Sequence, residues 1–538
     1  MQQNQSSEEV LRELIEHVDQ LIRRVQQNHR TETERLRSAA RGVRGPRRFG
    51  MPLQGPEFEE RVNILLPFGD ELTRPLMRQA GRDRWSADES EYAAARRAVA
   101  ELERSESFPR ETDPALVRDV LQALARQPAT RGALEVAGME PSGEIPYVSI
   151  SDLGPIGPPI GMPVLIQEIG VLSVPPPAPA AEGAQMVQQA VQGVQPGIEV
   201  EPTVTYYTMS EFLQEQQHGA GALGYPANRI GDRLLDTEME EEWFEAALEA
   251  GTAVETLTWG VARVNAQRAW AMPPGFFGQG IRVAVVDTGV GPHIDLPAPV
   301  ASATFVPGTT SADDDHSHGT HVAGTILARR NGIGVVGVAP QAQLMRAKVL
   351  SRTGFGEDAW IAAGIVWAAN NGARIINLSL GSPDTSSVMD RAVTYARSRG
   401  VAICAAAGNS FCQPVLHPAA NPLCMAIAAT DQSNRRASFS NCGRELDLAA
   451  PGSQVLSTVP GNAYGLKSGT SMATPHVAGV AALVLSKRPG LSPSSLQQLL
   501  ERTAIPLGPV DQFGRGLAQA DRAVGVAAVP ALEELVAG

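Results

Sequence analysis

The chain has 538 residues, with 45 basic and 58 acidic side chains and a formal charge of −13. Its 43% apolar residues are enough for a sizeable core and exclude wholesale disorder. The acidic balance argues against a nucleic-acid partner, and no apolar run nears the roughly 18 residues of a membrane helix, so no membrane partner is expected.

Residues 1–45 begin with an amphipathic stretch, 8–26, in which Leu11, Leu14, Val18, Leu21 and Val25 follow coiled-coil spacing. It could self-associate, take a partner helix or pack on its own domain. The opening MQQNQSSEEV has no basic or apolar signal region, so a cytoplasmic setting is expected, with export by another route left open. Residues 46–139 read as polar and helical, with one strand-like piece at 62–66. Residues 140–254 begin Pro-rich, from Pro155 through PPPAP at 175–179, which reads as linker. They continue with a helix near 184–194, a strand near 199–207 and an acidic helix, DTEMEEEWFEAALEA, at 236–250. A largely helical front region is thus expected.

The texture changes at 255. Short Val, Ile and Ala runs (IRVAVVDTG, LMRAKVL, ARIINLSLG, VAICAAAGN, CMAIAAT) alternate with helix-length segments and Gly-rich turns. That pattern is a parallel sheet buried on both faces, so 255–530 is expected to be one doubly wound, mostly parallel α/β domain. Four cysteines, Cys404, Cys412, Cys424 and Cys442, crowd one window. They could form one or two local bridges, but with no secretory signal visible free thiols are the favoured expectation.

Ligands of such sheets bind beyond the strands' carboxyl ends. Asp287 closes the run 281–286, and alone it could be a ribose contact, a metal ligand or a helix cap. DDDHSHGTHVAG at 313–324 puts His318 and His321 on one helical face, yet lacks the Glu of an H-E-x-x-H zinc motif. SGTSMATPHVAG at 468–479 sets Ser471 where a helix begins, a place that favours developing negative charge.

In this order and spacing, D-T-G-V, H-G-T-H-V-A-G and G-T-S-M-A-T-P-H-V-A-G resemble the subtilisin-like serine proteases. The resemblance covers about 256–528. It implies a serine endopeptidase in which Ser471 attacks, His318 moves the proton and Asp287 orients the imidazole. It implies that Asn409, in Gly408-Asn409-Ser410, donates to the oxyanion, and that substrate main chain adds as a strand to Ser379, Leu380 and Gly381, with Ser410 beside it. His321 and His476 read as packed helix residues. Leu416 falls at the base of the first specificity pocket, and Asp313 to Asp315 would border the next subsite or form a solvated loop. The resemblance further implies structural calcium at Asp295, Asn331, Ile333 and Val335, and no organic cofactor. Residues 184–207 resemble the end of a propeptide. The expected partner is a protein or peptide substrate. The rival reading, a silent scaffold that binds peptides, usually loses one of Asp, His, Ser or Asn; here all four stand.

Overall fold

In a computed structural model, the described residues are 61–66, 112–127, 130–131, 147–150, 157–158, 163–175, 180–195, 198–208 and 255–526. The coiled-coil-like stretch 8–26 and the acidic helix 236–250 lie outside them.

The front part builds a small α+β unit. Its elements are β1 (Val62–Leu65), α1 (Pro114–Arg126), β2 (Val148–Ser149), β3 (Val164–Ile166), β4 (Val171–Val174), α2 (Ala180–Val191) and β5 (Glu199–Pro202). The sheet order is β2-β3-β4-β1-β5, with neighbours antiparallel from β3 to β5 and β2 parallel to β3. Without the two-residue β2 this is the β-α-β-β-α-β ferredoxin-like plan. Asp113 caps α1, accepting from Ala115 N at 2.9 Å, and Pro114 takes the first helical position, where a missing N–H costs nothing. Val117, Val120, Leu121 and Leu124 of α1, with Val187 and Val191 of α2, bury against Val62, Ile64 and Leu172 of the sheet.

The expected linker is therefore corrected: 148–174 contributes three strands. Their runs are only two to four residues long, and Gly170, left-handed at φ 61°, makes the tight return between β3 and β4. The flanking prolines mask so short a hairpin. The described residues of the front carry helices of 13 and 12 residues beside these short strands, and most of the expected helical front lies outside those residues.

The larger unit is the doubly wound fold that the sequence pattern implies. Its strands are β7 (Arg282–Asp287), β8 (Ala301–Thr304), β9 (Gln343–Lys348), β11 (Ile375–Leu378), β13 (Ala402–Ala406), β14 (Met425–Thr430) and β15 (Leu446–Pro451). They form one sheet in the order β15-β14-β13-β11-β7-β9-β8, parallel throughout. Helix α3 (His318–Leu327) packs with α6 (Thr470–Lys487), and α4 (Asp358–Asn370) packs with α5 (Ser387–Ser398). The chain runs from β7 to β8 and β9 on one side, then returns to β11 on the other. The strand order thus reverses at β7 and β11, where a crevice opens beyond their carboxyl ends. Among the described residues no helix is long and apolar enough to cross a membrane.

Three further strands make a separate ribbon. β6 (Thr205–Thr208), the continuation of the small unit, lies antiparallel between β10 (Phe355–Glu357) and β12 (Leu380–Gly381) of the large one. The two units also meet beside it. Asn63 Nδ2 donates to Asp358 Oδ1 at 3.0 Å, Val388 N donates to Glu201 Oε1 at 3.3 Å, and Arg391 reaches the carbonyls of Leu66 and Gly170.

Candidate active site

The reversal point gathers the chemistry. Asp287 ends β7 fully buried, and its Oδ1 accepts from Thr288 N at 2.7 Å. The same oxygen lies 2.7 Å from His318 Nδ1, on the first residue of α3. His318 is fully buried and its Nε2 has no hydrogen-bond partner. Gly319 permits this approach: a Cβ there would stand 2.0 Å from the Gly289 carbonyl and 3.2 Å from Asp287. Asp314 fixes the start of α3, accepting from His316 N, Ser317 N and Thr320 N at 2.8–3.0 Å and from the Thr288 hydroxyl at 2.9 Å.

Ser471 is the second residue of α6, also buried. Pro475, four residues on, has no N–H to return to the Ser471 carbonyl. That carbonyl instead accepts from Ser379 Oγ at 2.8 Å, while Ser471 Oγ donates to the Ser379 carbonyl at 2.9 Å. The serine is thereby tied to Ser379, the residue that joins β11 to β12.

Asn409 follows β13 at the next strand end. Its Oδ1 accepts from Thr470 N at 2.8 Å and Thr470 Oγ1 at 2.9 Å, which orients the amide. Its Nδ2 then faces the helix start, 3.0 Å from where a Cβ on Gly469 would sit. Ser410 N donates to Asn441 Oδ1 at 2.7 Å, and Asn441 N donates back to the Gly408 carbonyl. Leu416 lies against this wall: a Cβ on Gly408 would come within 2.7 Å of it. A Cys412–Cys442 disulfide pins the same loop, so the expectation of free thiols is corrected for that pair; Cys404 and Cys424 remain buried thiols. The cysteine spacing had left such a local bridge open, and only the lack of a visible secretory signal had favoured thiols.

His321 and His476 are packed, as expected. His321 Nε2 lies 2.8 Å from the Val455 carbonyl, His476 Nδ1 lies 2.8 Å from the Met472 carbonyl, and burial pushes both imidazoles below their ordinary value. In the acidic run Asp313 and Asp315 are exposed, as a solvated loop would have them, and Asp314 is buried. Asp313 pairs with Arg346, Asp315 pairs with Lys348 Nζ at 2.6 Å, and Asp314 caps α3. All three carboxylates thus have partners within the domain.

At the expected cation site, Asp295 Oδ1 accepts from Asn331 Nδ2 and Oδ2 accepts from Val335 N, each at 3.0 Å. Burial pushes the Asp295 carboxyl above its ordinary value. Ile333 N donates to Asn331 Oδ1 at 3.1 Å, which closes the loop. A further residue converges here that sequence reasoning missed: Glu255 Oε2 accepts from Asn331 N at 2.6 Å and Gly332 N at 3.0 Å. Two carboxylates, an amide oxygen and loop carbonyls are the hard-oxygen set that calcium takes. Among the described residues no group of three or more His, Cys, Asp or Glu side chains gathers to hold a metal.

Ser471 Oγ and His318 Nε2 share no hydrogen bond, so the site joins Asp287 to His318 but leaves the serine bonded to Ser379. Residues 278–526 match the subtilase family. M-protease of Shouchella clausii is 47% identical over 289 residues, covering 54% of this chain and 75% of that protein. Subtilisin Savinase of Lederbergia lenta is 49% identical over 269 residues, covering 50% of this chain and 99% of that protein. Subtilisin E of Bacillus subtilis is 45% identical over 269 residues, covering 49% and 70%. The chain belongs to the subtilase family and is a subtilisin-like serine endopeptidase.

Proposed function

We propose that the enzyme cleaves peptide bonds with Ser471 as nucleophile and that residues 61–208 hold it latent by laying their last strand along its own substrate cleft. The observation that carries this reading is the seat of β6. Leu380 pairs with Thr208, Gly381 and Phe355 with Tyr207, and Gly356 with Tyr206, while Thr208 N donates to the Gly354 carbonyl at 2.9 Å. An extended peptide main chain is what a strand-adding cleft accepts.

The roles follow from the groups at hand. His318 takes the Ser471 proton on Nε2 as the hydroxyl attacks, then gives it to the leaving amine. Asp287 holds the ring through Nδ1 and stabilises the imidazolium, and Asn409 with the Ser471 backbone N–H receives the developing oxyanion. Calcium held by Asp295, Glu255 and the 331–335 loop would fix the loop that borders the segment entering the domain. The Cys412–Cys442 bridge persists in oxidising surroundings, which favours action outside a reducing cytosol over the cytoplasmic setting first expected.

Two proteins test the reading. The parent is expected to hydrolyse denatured protein and to shorten itself within a few residues after Thr208. Ser471→Ala is expected to do neither while keeping its melting temperature. Self-shortening by Ser471→Ala purified free of other proteases contradicts the assignment.

A further inference from the structure

We propose that Asp358 gives the cleft a preference for a basic side chain, Arg or Lys, at the fourth residue before the cleaved bond. The inference rests on the latent-protease reading above, in which β6 stands where substrate lies. A substrate in the same register puts its scissile residue opposite Ser379, whose carbonyl takes Ser471 Oγ. Counting back, its second residue takes the place of Thr208, its third that of Tyr207 and its fourth that of Tyr206.

The fourth place is a closed pocket. Tyr206 is fully buried and sits opposite Gly356, which must be glycine because a Cβ there would lie 2.3 Å from the Val349 carbonyl. The same ladder continues with Glu357 opposite Thr205, and then Asp358 N donates to the Val204 carbonyl at 2.9 Å. In such a ladder Tyr206 and Asp358 are diagonal neighbours on one face. The pocket does not suit a phenol well, for the Tyr206 hydroxyl is buried without a hydrogen-bond partner. Burial first, then the carboxylates of Asp358, Asp390, Glu201 and Asp384, push that phenol's pKa up.

Asp358 itself is fully buried and accepts Asn63 Nδ2 at 3.0 Å and Ser386 Oγ at 2.7 Å. Asn63 and Glu201 belong to the blocking unit; Asp358, Ser386, Asp384 and Asp390 belong to the protease. When the blocking unit leaves, Asp358 loses the Asn63 donor and keeps Ser386 Oγ and, at 2.8 Å, Ala359 N, while the nearby acid that leaves is Glu201. The carboxylate that remains faces the place of the fourth side chain. A guanidinium or ammonium replaces the donor lost with Asn63 and brings the opposite charge.

The test uses the full chain after self-processing, with active sites counted by a serine-directed titrant. Peptides identical except at the fourth residue carry Arg, Lys, citrulline, Leu or Tyr there, and a control series carries the same changes at the third. At pH 8 the kcat/KM for Arg and Lys is expected to exceed that for Leu by about tenfold to a hundredfold, the range for a hydrogen bond to a charged group. Citrulline, with Arg's shape but no charge, is expected to fall near Leu, and the third position to show no such contrast. In Asp358→Asn the Arg-to-Leu ratio is expected to collapse to within about threefold. Leu equal to or better than Arg in the parent overturns the inference whatever the variant does, as does an undiminished ratio in Asp358→Asn. Cleavage of no peptide by a processed parent overturns the protease reading itself.

Discussion

Asp358 also makes latency depend on pH. Burial pushes its carboxyl up to about 7 in the blocked form, against the opposing hydrogen bonds from Ser386 and Asn63, and burial raises Glu201 beside it. Glu201 is the charged group that acts on Asp358 and raises it further; Asp384 and Asp390 act with them on Tyr206, and Arg391 lowers Glu201. Once β6 withdraws, Asn63, Glu201 and Tyr206 leave and Asp358 faces water, so its value falls back toward the ordinary 3.9 or so. The blocked form therefore binds a proton that the open form releases. Blocking carries no penalty below the open-form value, weakens by up to about tenfold per pH unit as pH rises, and levels off above about 7. From pH 5.5 to 7 the open fraction should rise about fifteenfold on account of Asp358. The assay is binding of a fluorescent extended peptide without basic residues to full-length Ser471→Ala, which cannot process itself. Apparent affinity is expected to climb steeply to pH 7 and then flatten, with Asp358→Asn removing most of the climb. Affinity that is flat or falls between pH 5.5 and 8.5, or climbs equally in Asp358→Asn, refutes the reasoning.

Two further outcomes follow from the same geometry. Calcium at a hundredfold excess over its dissociation constant should stabilise the protein by about 2.7 kcal/mol, so chelation should lower the melting temperature, and Glu255→Gln with Asp295→Asn should abolish the response. Calorimetry in chelator and in calcium checks this, and identical curves remove the site. Asn409→Ala should lower kcat about 10²–10³-fold with little change in KM, the range for losing the equivalent donor in subtilisin; a loss confined to KM would assign Asn409 to binding instead.

The strand-end residues were legible because each lies in a contiguous motif. The small residues that let helices abut strands, such as Gly319 against Asp287, are written beside His318 itself. The parallel sheet was legible because strands buried on both faces leave unbroken apolar runs, such as MAIAAT, all buried. What the sequence hid depends on long-range meeting. Glu255 and Asn331 approach across 76 positions, and Asn63 and Asp358 across 295. No local pattern announces such pairs. The hairpin of β3 and β4 was hidden differently: its strands are too short for period-two alternation to show, and neighbouring prolines gave a linker's composition. The partners of the Asp313–Asp315 run were hidden because charge in a sequence says nothing of what it meets. Arg346 and Lys348, on β9, neutralise two of the three.

The account stands or falls on Ser471, and covalent labelling reads it most directly. Full-length protein treated at pH 8.5 with a fluorophosphonate and digested for mass spectrometry should carry one label, on the peptide holding Ser471. Label should be absent from Ser471→Ala and strongly slowed in His318→Ala, whose serine lacks a base. Undiminished labelling of Ser471→Ala, or label on another residue in the parent, would contradict it.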